Sequence, residues 1–237
     1  MINWRLEQYS ELGSTSDEVV KRAKAGEPAG LAILALKQTA GRGSRGRVWA
    51  APEGNLNLSV LLRPTCPLSD AGLFSLMTGV AVMEALASLG GHGLSLKWPN
   101  DILCHQAKLA GILIDASPAE DGIEWLAIGI GVNLRTAPDI PGRLTTSLAA
   151  QDILIPPQAA AEAILSQLGH WHDAPAETIR QAWMARGHPL GTTLKIAYAN
   201  QHVQGDFAGL SARGELLLQR ENRIEILNTG EVLRAGG

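Results

Sequence analysis

Hydrophobic and polar positions give the chain two textures. Up to about residue 187, short apolar runs alternate with helical patterns. Beyond it, short alternating segments succeed one another between turn signals. The chain opens on a mixed polar stretch, MINWRLEQYS, with no apolar core of the signal-peptide kind. A helix is predicted to begin near Ser14, with Thr15 and Glu18 in capping-box spacing and Gly26 as its stop. Residues 30–36 read as a buried strand, and 55–62 as an alternating strand that Pro64 ends. A long helix follows, capped by Ser69 and stopped at Gly90 and Gly91. Residues 94–97 read as a short strand, and Trp98, Pro99, Asn100 and Asp101 as a turn. Residues 108–115 and 123–134 read as paired strands joined by a hairpin at 118–122. Pro156 and Pro157 open a helix to about Trp171. Pro175, taken as a first helical residue, opens another to about Arg186. Segments 192–199, 202–208, 214–219, 223–227 and 231–234 read as strands of a small barrel-type unit. The expected class is α/β (α+β): a mixed sheet with packed helices over residues 1–187, then a small β-barrel over 188–237.

Composition narrows the function classes. At 237 residues and 46% hydrophobic, the chain can bury one substantial core. A net charge of −3 forces no basic patch, so nucleic acid is not the default partner. Cys66 and Cys104 make neither a CxxC pair nor a zinc-type spacing, and read as buried thiols in a reducing compartment. No window is read as the ~18–20 apolar residues that span a bilayer. A soluble, cytoplasmic protein without membrane contact is expected.

The loop at 41–47, GRGSRGR, is the sharpest chemical signal. Glycines let backbone approach a ligand and expose its N–H groups, while arginines bring forked donors suited to phosphate. A solvated surface loop is the bland reading. The same residues match GxGxxG, but a dinucleotide fingerprint needs a helix directly after the loop. Here Val48, Trp49, Ala50, Ala51 and Pro52 precede a strand, and no acidic residue stands about 20 positions on. Lys97, Trp98, Pro99, Asn100 and Asp101 form a second signal. Their oxygens suit either one Mg²⁺ ligand completed by phosphates and water or an Asx-type turn. Lys108 opens an apolar strand, KLAGILID. Gly111 and Gly129 to Gly131 thin the side-chain cover nearby, leaving room for a ligand slot in which a lysine would hold a carboxylate. Asn133 adds a polar group on the partner strand. His170 and His172, two apart on a helix, do not share a face and make a poor metal pair. No covalent nucleophile stands out.

Taken together, Ser14 and Thr15 before a helix, GRGSRGR followed by Trp49, KWPND at 97–101, KLAGIL at 108–113 and GIGVNL at 129–134 closely resemble biotin protein ligase, also called biotin–[acetyl-CoA-carboxylase] ligase. The motifs keep that family's order and spacing over most of residues 10–135. The tail, with GELLLQ at 214–219, looks like its SH3-like C-terminal domain, with weaker matching. The resemblance implies a cytoplasmic enzyme with a catalytic domain over 1–187 that turns biotin and ATP into biotinyl-5'-AMP and pyrophosphate. It then passes biotin to a lysine of a biotin carboxyl carrier domain. Lys108, Arg42 and Asp101 are implied as catalytic. Ser14, Thr15, Ser16, Gln38, Gly41, Arg42, Gly43, Ser44, Lys108, Gly111 and Leu113 are implied as biotin-binding, and Arg45, Arg47, Trp49, Asn100, Lys108 and Asn133 as ATP- or adenylate-binding. Mg²⁺ is expected with ATP, near Asp101, with no dedicated metal ligand assigned. The best-known members have GRGRRGR, so Ser44 replaces an arginine, and Ser16 stands where they have asparagine. The chain begins about a dozen residues before Ser14, which leaves no room for the winged helix-turn-helix of the repressor relatives, and no operator binding is expected. A homodimer through a sheet edge is compatible with the sequence. Lipoate or octanoate ligases are the nearest rival, but KWPND, KLAGIL and the arginine loop favour biotin. A binding module for neutral biotin would not need phosphate-directed charge, and a nicotinamide enzyme would need the missing helix.

Overall fold

The computed structural model describes residues 2–50, 52–198, 201–221 and 223–233. Residues 199 and 234, the expected ends of two barrel strands, lie outside them. Chain order is β1 (Arg5–Leu12), α1 (Thr15–Lys24), β2 (Leu31–Gln38), β3 (Leu56–Leu62), α2 (Ala71–Ser88), β4 (Leu94–Lys97), β5 (Asp101–Cys104), β6 (Ala107–Ala119), β7 (Gly122–Val132), α3 (Pro157–Trp171), α4 (Ala176–Met184), β8 (Thr193–Tyr198), β9 (Gln201–Leu210), β10 (Leu216–Arg220), β11 (Arg223–Leu227) and β12 (Glu231–Leu233).

The first seven strands form one sheet in the order β1-β2-β3-β7-β6-β5-β4. Only β1 and β2 run parallel, linked by α1; the other neighbours are antiparallel. The remaining strands make an antiparallel sheet in the order β11-β10-β9-β8-β12. The mixed α/β architecture with a second β unit is thus as expected from the sequence.

Strand period two splits the large sheet into two faces. On one face Leu58, Ile130 and Ile112 join the main core, packed under α2 and α3. On the other, Ile33, Leu61 and Ala127 join Val19 and Ala23 of α1 in a smaller cluster. Helix α2 is apolar nearly all round because it lies between the sheet, α3 and α4. Within Leu68–Ser88, the helix with the turn before it, a window of 18 residues has a mean hydropathy of 1.5. It is therefore long and apolar enough to cross a membrane, which corrects the expectation that no window is. Most of that window, 61%, is buried inside the fold, as befits a core helix.

Helix starts depart from the sequence reading in detail. Ser14, not Thr15, caps α1, its hydroxyl accepting from the Asp17 amide at 3.3 Å. Thr15 is already helical, which frees its side chain for the sheet. Ser69 does not cap α2; its hydroxyl bonds Asp70, the residue at the cap position. Pro175 precedes the first turn of α4 instead of sitting in it. Strand β1 was not anticipated. It is an edge strand that pairs only with β2, so its residues are half exposed and their pattern is weak.

Helix α4 joins the two units. Trp183 is buried against Phe207 of β9, ring centroids 6.4 Å apart, and the Trp98 indole donates to Gly214 O at 3.1 Å. His188 packs its ring against both Trp183 and Phe207. Burial, and secondarily the charge of Lys97, push its pKa from 6.5 down to about 4. The folded protein therefore holds this ring neutral, whereas the unfolded chain protonates it below about 6.5. Its contribution to stability is full above that pH and is lost as pH falls toward 4, by about 2 kcal/mol at pH 5. Calorimetry from pH 7 to 5 should show the melting temperature falling, and His188→Phe should flatten the fall. An unchanged slope would refute this assignment.

Candidate active site

Two transverse rows of residues on the α1 face of the sheet build the site. Asn57, Gly131, Gly111 and Asp101 are successive register partners across β3, β7, β6 and β5. Ser59, Gly129 and Leu113 form the next row. The glycines sink the floor where side chains would stand. A Cβ on Gly131 would lie 2.4 Å from the Trp49 ring, and one on Gly129 2.5 Å from Ser16 Oγ.

The N-terminus of α1 closes one end. The Thr15 amide and hydroxyl both donate to Gln38 Oε1, at 2.7 and 3.0 Å. Thr15 Oγ1 and Ser16 Oγ lie 2.7 and 3.2 Å from Ser59 Oγ. Gln38 Nε2 donates to Asn57 Oδ1 at 3.4 Å. Ser14, Thr15, Ser16, Asn57 and Ser59 are all buried. A helix N-terminus and a ring of hydroxyls and amides offer paired donors and acceptors to a neutral polar group.

Lys108 closes the other end, and a β-bulge puts it there. Register slips between Ile102 and Leu103, so Leu109 and Ala110 both enter the core and Lys108 turns onto the glycine face. Its Nζ donates to Asp101 Oδ1 at 2.5 Å and lies 5.6 Å from the Trp49 ring centroid. Its backbone is clipped to residues 144–146: Lys108 N donates to Leu144 O at 2.8 Å, and Thr146 N to Lys108 O at 3.0 Å. Lys97 lies 3.7 Å from Asp101. Burial lowers its pKa, opposed by the Asp101 carboxylate. Asn100 spends its amide on Ile112 O at 2.7 Å, which fixes the turn at the cis Trp98–Pro99 bond.

The 41–47 loop covers the open side. Trp49 is anchored by its amide to Gly41 O at 2.9 Å, and its indole lies over Gly111 and Gly131. Arg42 bonds Asp115 and pairs with Asp17 at 3.1 Å. Arg47 holds Ser44 Oγ at 2.9 Å. The resulting pocket, about 470 Å³ and open to solvent, is lined by Ser14, Thr15, Ser16, Gln38, Arg42, Gly43, Ser44, Trp49, Asn100, Lys108, Gly111 and Leu113, among others.

Other expected residues lie elsewhere. Gly41 stands just outside the lining, under Trp49 O. Arg45 and Arg47 reach away from it to Glu231 of β12, at 3.2 and 3.1 Å. Arg143 meets the same carboxylate at 2.6 Å. Burial alone would raise the Glu231 pKa, but the Arg47 hydrogen bond and the Arg143 and Arg47 charges hold it below the usual range. Asp101 and Lys108 also line a second cleft, about 1490 Å³ including open solvent, with Lys97, Arg143, His188 and Glu231. Asn133 lies behind this region, donating to Thr146 O at 3.1 Å, its buried Oδ1 without a partner.

The sequence reading did not identify Asn57, Ser59, Asp115, Arg143 or Glu231. For Asn57 and Ser59 a signal existed: two polar residues at period two inside a buried strand, LNLSVLL. The carboxylates lie far along the chain from the arginines they meet, and no local pattern points to them.

Comparison with known proteins agrees with this geometry. Residues 12–133 match the Biotin/lipoate A/B protein ligase family, and residues 190–234 the Biotin protein ligase C terminal domain. The chain is 34% identical to the biotin–[acetyl-CoA-carboxylase] ligase of Paracoccus denitrificans, covering 94% of this chain and 98% of that one. It is 31% identical to the bifunctional ligase/repressor BirA of Bacillus subtilis, covering 94% of this chain and 72% of that one. The biotin protein ligase of Aquifex aeolicus in complex with biotin and ATP superposes with a TM-score of 0.79 at 27% identity, over 96% of this chain and 97% of that one. With its glycine-floored pocket, its arginine loop and both matched domains, the chain belongs to the biotin/lipoate A/B protein ligase family, as a biotin protein ligase.

Proposed function

We propose that the chain activates biotin with ATP and transfers it to a lysine of a biotin carboxyl carrier domain, through residues of the glycine-floored pocket. The observation that carries the assignment is the pocket's polarity. Hydroxyls and amides for a neutral ring stand at one end, and Lys108 stands at the other for two anions that must meet. A biotin carboxylate oxygen attacks the α-phosphorus, the bond to the β-phosphate oxygen breaks, and pyrophosphate leaves. The mixed anhydride is then attacked by the carrier amine, which loses a proton as AMP departs.

Thr15, Ser16 and Gln38, with Asn57 and Ser59 behind them, hold the ureido ring. Lys108 neutralises charge between carboxylate and α-phosphate, which is positional and electrostatic catalysis. Arg42 stands at the rim. Trp49 offers an aromatic face to the adenylate, and the unpartnered Asn133 Oδ1 an acceptor for a donor such as an exocyclic amine. Among the described residues no cluster of three or more potential ligands could hold a metal. Asp101 is the one carboxylate here and both its oxygens face lysines, so Mg²⁺ arriving with ATP would be held chiefly by the phosphates, whose charge it would neutralise. Asp101 is the carboxylate facing the approach of the carrier lysine. We assign residues 1–187 to the catalytic domain and 188–237 to the C-terminal one. Cys66 and Cys104 are free thiols, in keeping with a cytoplasmic enzyme.

Transfer is tested by incubating the protein with biotin, Mg-ATP and a carboxyl carrier domain and weighing the carrier. One biotinyl group on the carrier lysine is expected, and none when that lysine is arginine. A carrier that stays unmodified while adenylate accumulates would contradict the second step.

A further inference from the structure

We propose that Arg143 is a further substrate-contacting residue, which binds the diphosphate group in the second cleft: the β- and γ-phosphates of ATP, and pyrophosphate on its way out. The inference rests on the ligase reading above and names where its leaving group is held.

The cleft lies between the β4–β6 edge, residues 142–144 and strands β8 and β12. Lys97, Lys108 and Arg143 line it, and Arg45 and Arg47 join through Glu231. Against these five cations stand Asp101 and Glu231, a surplus of three positive charges. Glu231 accepts from three arginines at once. One carboxylate cannot neutralise three guanidiniums, so each keeps donor capacity for another anion. The Arg143 charge contributes to lowering the pKa of Glu231, which it touches, and that of Lys97 across the cleft.

Arg143 is also fixed relative to the reacting centre. Its amide bonds Ile140 O at 2.9 Å in a tight turn that includes Gly142 at φ +74°. The next residues are the ones that clip the Lys108 backbone. One short segment, residues 143–146, thus carries both the arginine and the backbone bonds that hold Lys108. A diphosphate extending from Lys108 into this cleft meets Lys97 and Arg143, with Arg47 across Glu231.

The test is ATP–pyrophosphate exchange by Arg143→Ala and Arg143→Lys, each also in a Glu231→Gln background. Arg143→Ala should raise KM for ATP and for pyrophosphate about tenfold, with biotin affinity and transfer from preformed biotinyl-AMP unchanged. Arg143→Lys should recover part of the loss. A purely indirect role through Glu231 would abolish the effect in the Glu231→Gln background; direct contact requires that it persist there. A shift for ATP alone would place only the nucleotide's phosphates at Arg143, and the product half of the proposal would fall. Unchanged KM values for both, a change confined to the carrier KM, or a loss of biotin affinity would each overturn it. Absence of exchange in the unsubstituted protein would instead refute the ligase reading.

Discussion

Lys108→Ala is expected to slow formation of biotinyl-AMP by about 10²- to 10³-fold, the scale on which deletion of one preorganised charge-stabilising group acts. Two features argue that the loss falls on chemistry and not on folding. The lysine backbone is held by Leu144 O and by the Thr146 amide, neither of which involves the side chain. Removing the ammonium leaves Asp101 beside Lys97 at 3.7 Å, so no isolated charge is created. The side chain is otherwise poised over the floor, near Trp49 and Gly111. Two anions that repel each other must be brought together there without a covalent nucleophile. Single-turnover rates with biotin and Mg-ATP check this alongside a melting curve. A folded variant that forms the adenylate within a few-fold of the normal rate would remove Lys108 from the mechanism.

Gly131→Val is expected to weaken biotin binding by roughly 10- to 100-fold, corresponding to ~1–3 kcal/mol of overpacking, with little loss of stability. Valine suits a central strand. The Cβ would stand 2.4–2.6 Å from ring atoms of Trp49, a residue on a loop that can move aside. The branched side chain then occupies the floor between Asn57 and Gly111, its register partners. Titration calorimetry with biotin reads the affinity, and undiminished binding would show that the ligand does not lie on the glycine rows. Gly129→Val is the less clean variant, because its Cβ would meet Ser16 Oγ at 2.5 Å and disturb the seat of α1.

The large features were legible because each is encoded locally. The β6–β7 hairpin shows as two apolar runs around Pro118 to Gly122, and α3 as a periodic run opened by Pro157. KLAGIL and GIGVNL could be read together because their glycines leave one gap between neighbouring strands. What was hidden depends on distant contacts. Lys108 faces the pocket through a bulge whose partner strand, β5, must be paired before the slip exists. Arg45 and Arg47 read as phosphate-binding residues of the pocket, yet here they meet Glu231, which is 186 and 184 residues away. Asn57 and Ser59 are readable in principle as two polar residues at period two in an otherwise buried strand. The spacing of Thr15 to Glu18 fits a capping box and points to Thr15 as the cap. Ser14 wins that position, and Thr15 turns instead to Gln38 and Ser59.

The measurement that tests the central claim most directly is ATP–pyrophosphate exchange by the purified protein with Mg²⁺, run with biotin, lipoate, octanoate or no acid. Exchange that requires biotin, and that Lys108→Ala abolishes, is the expected result. Exchange driven by lipoate or octanoate, or none with any acid, would contradict it.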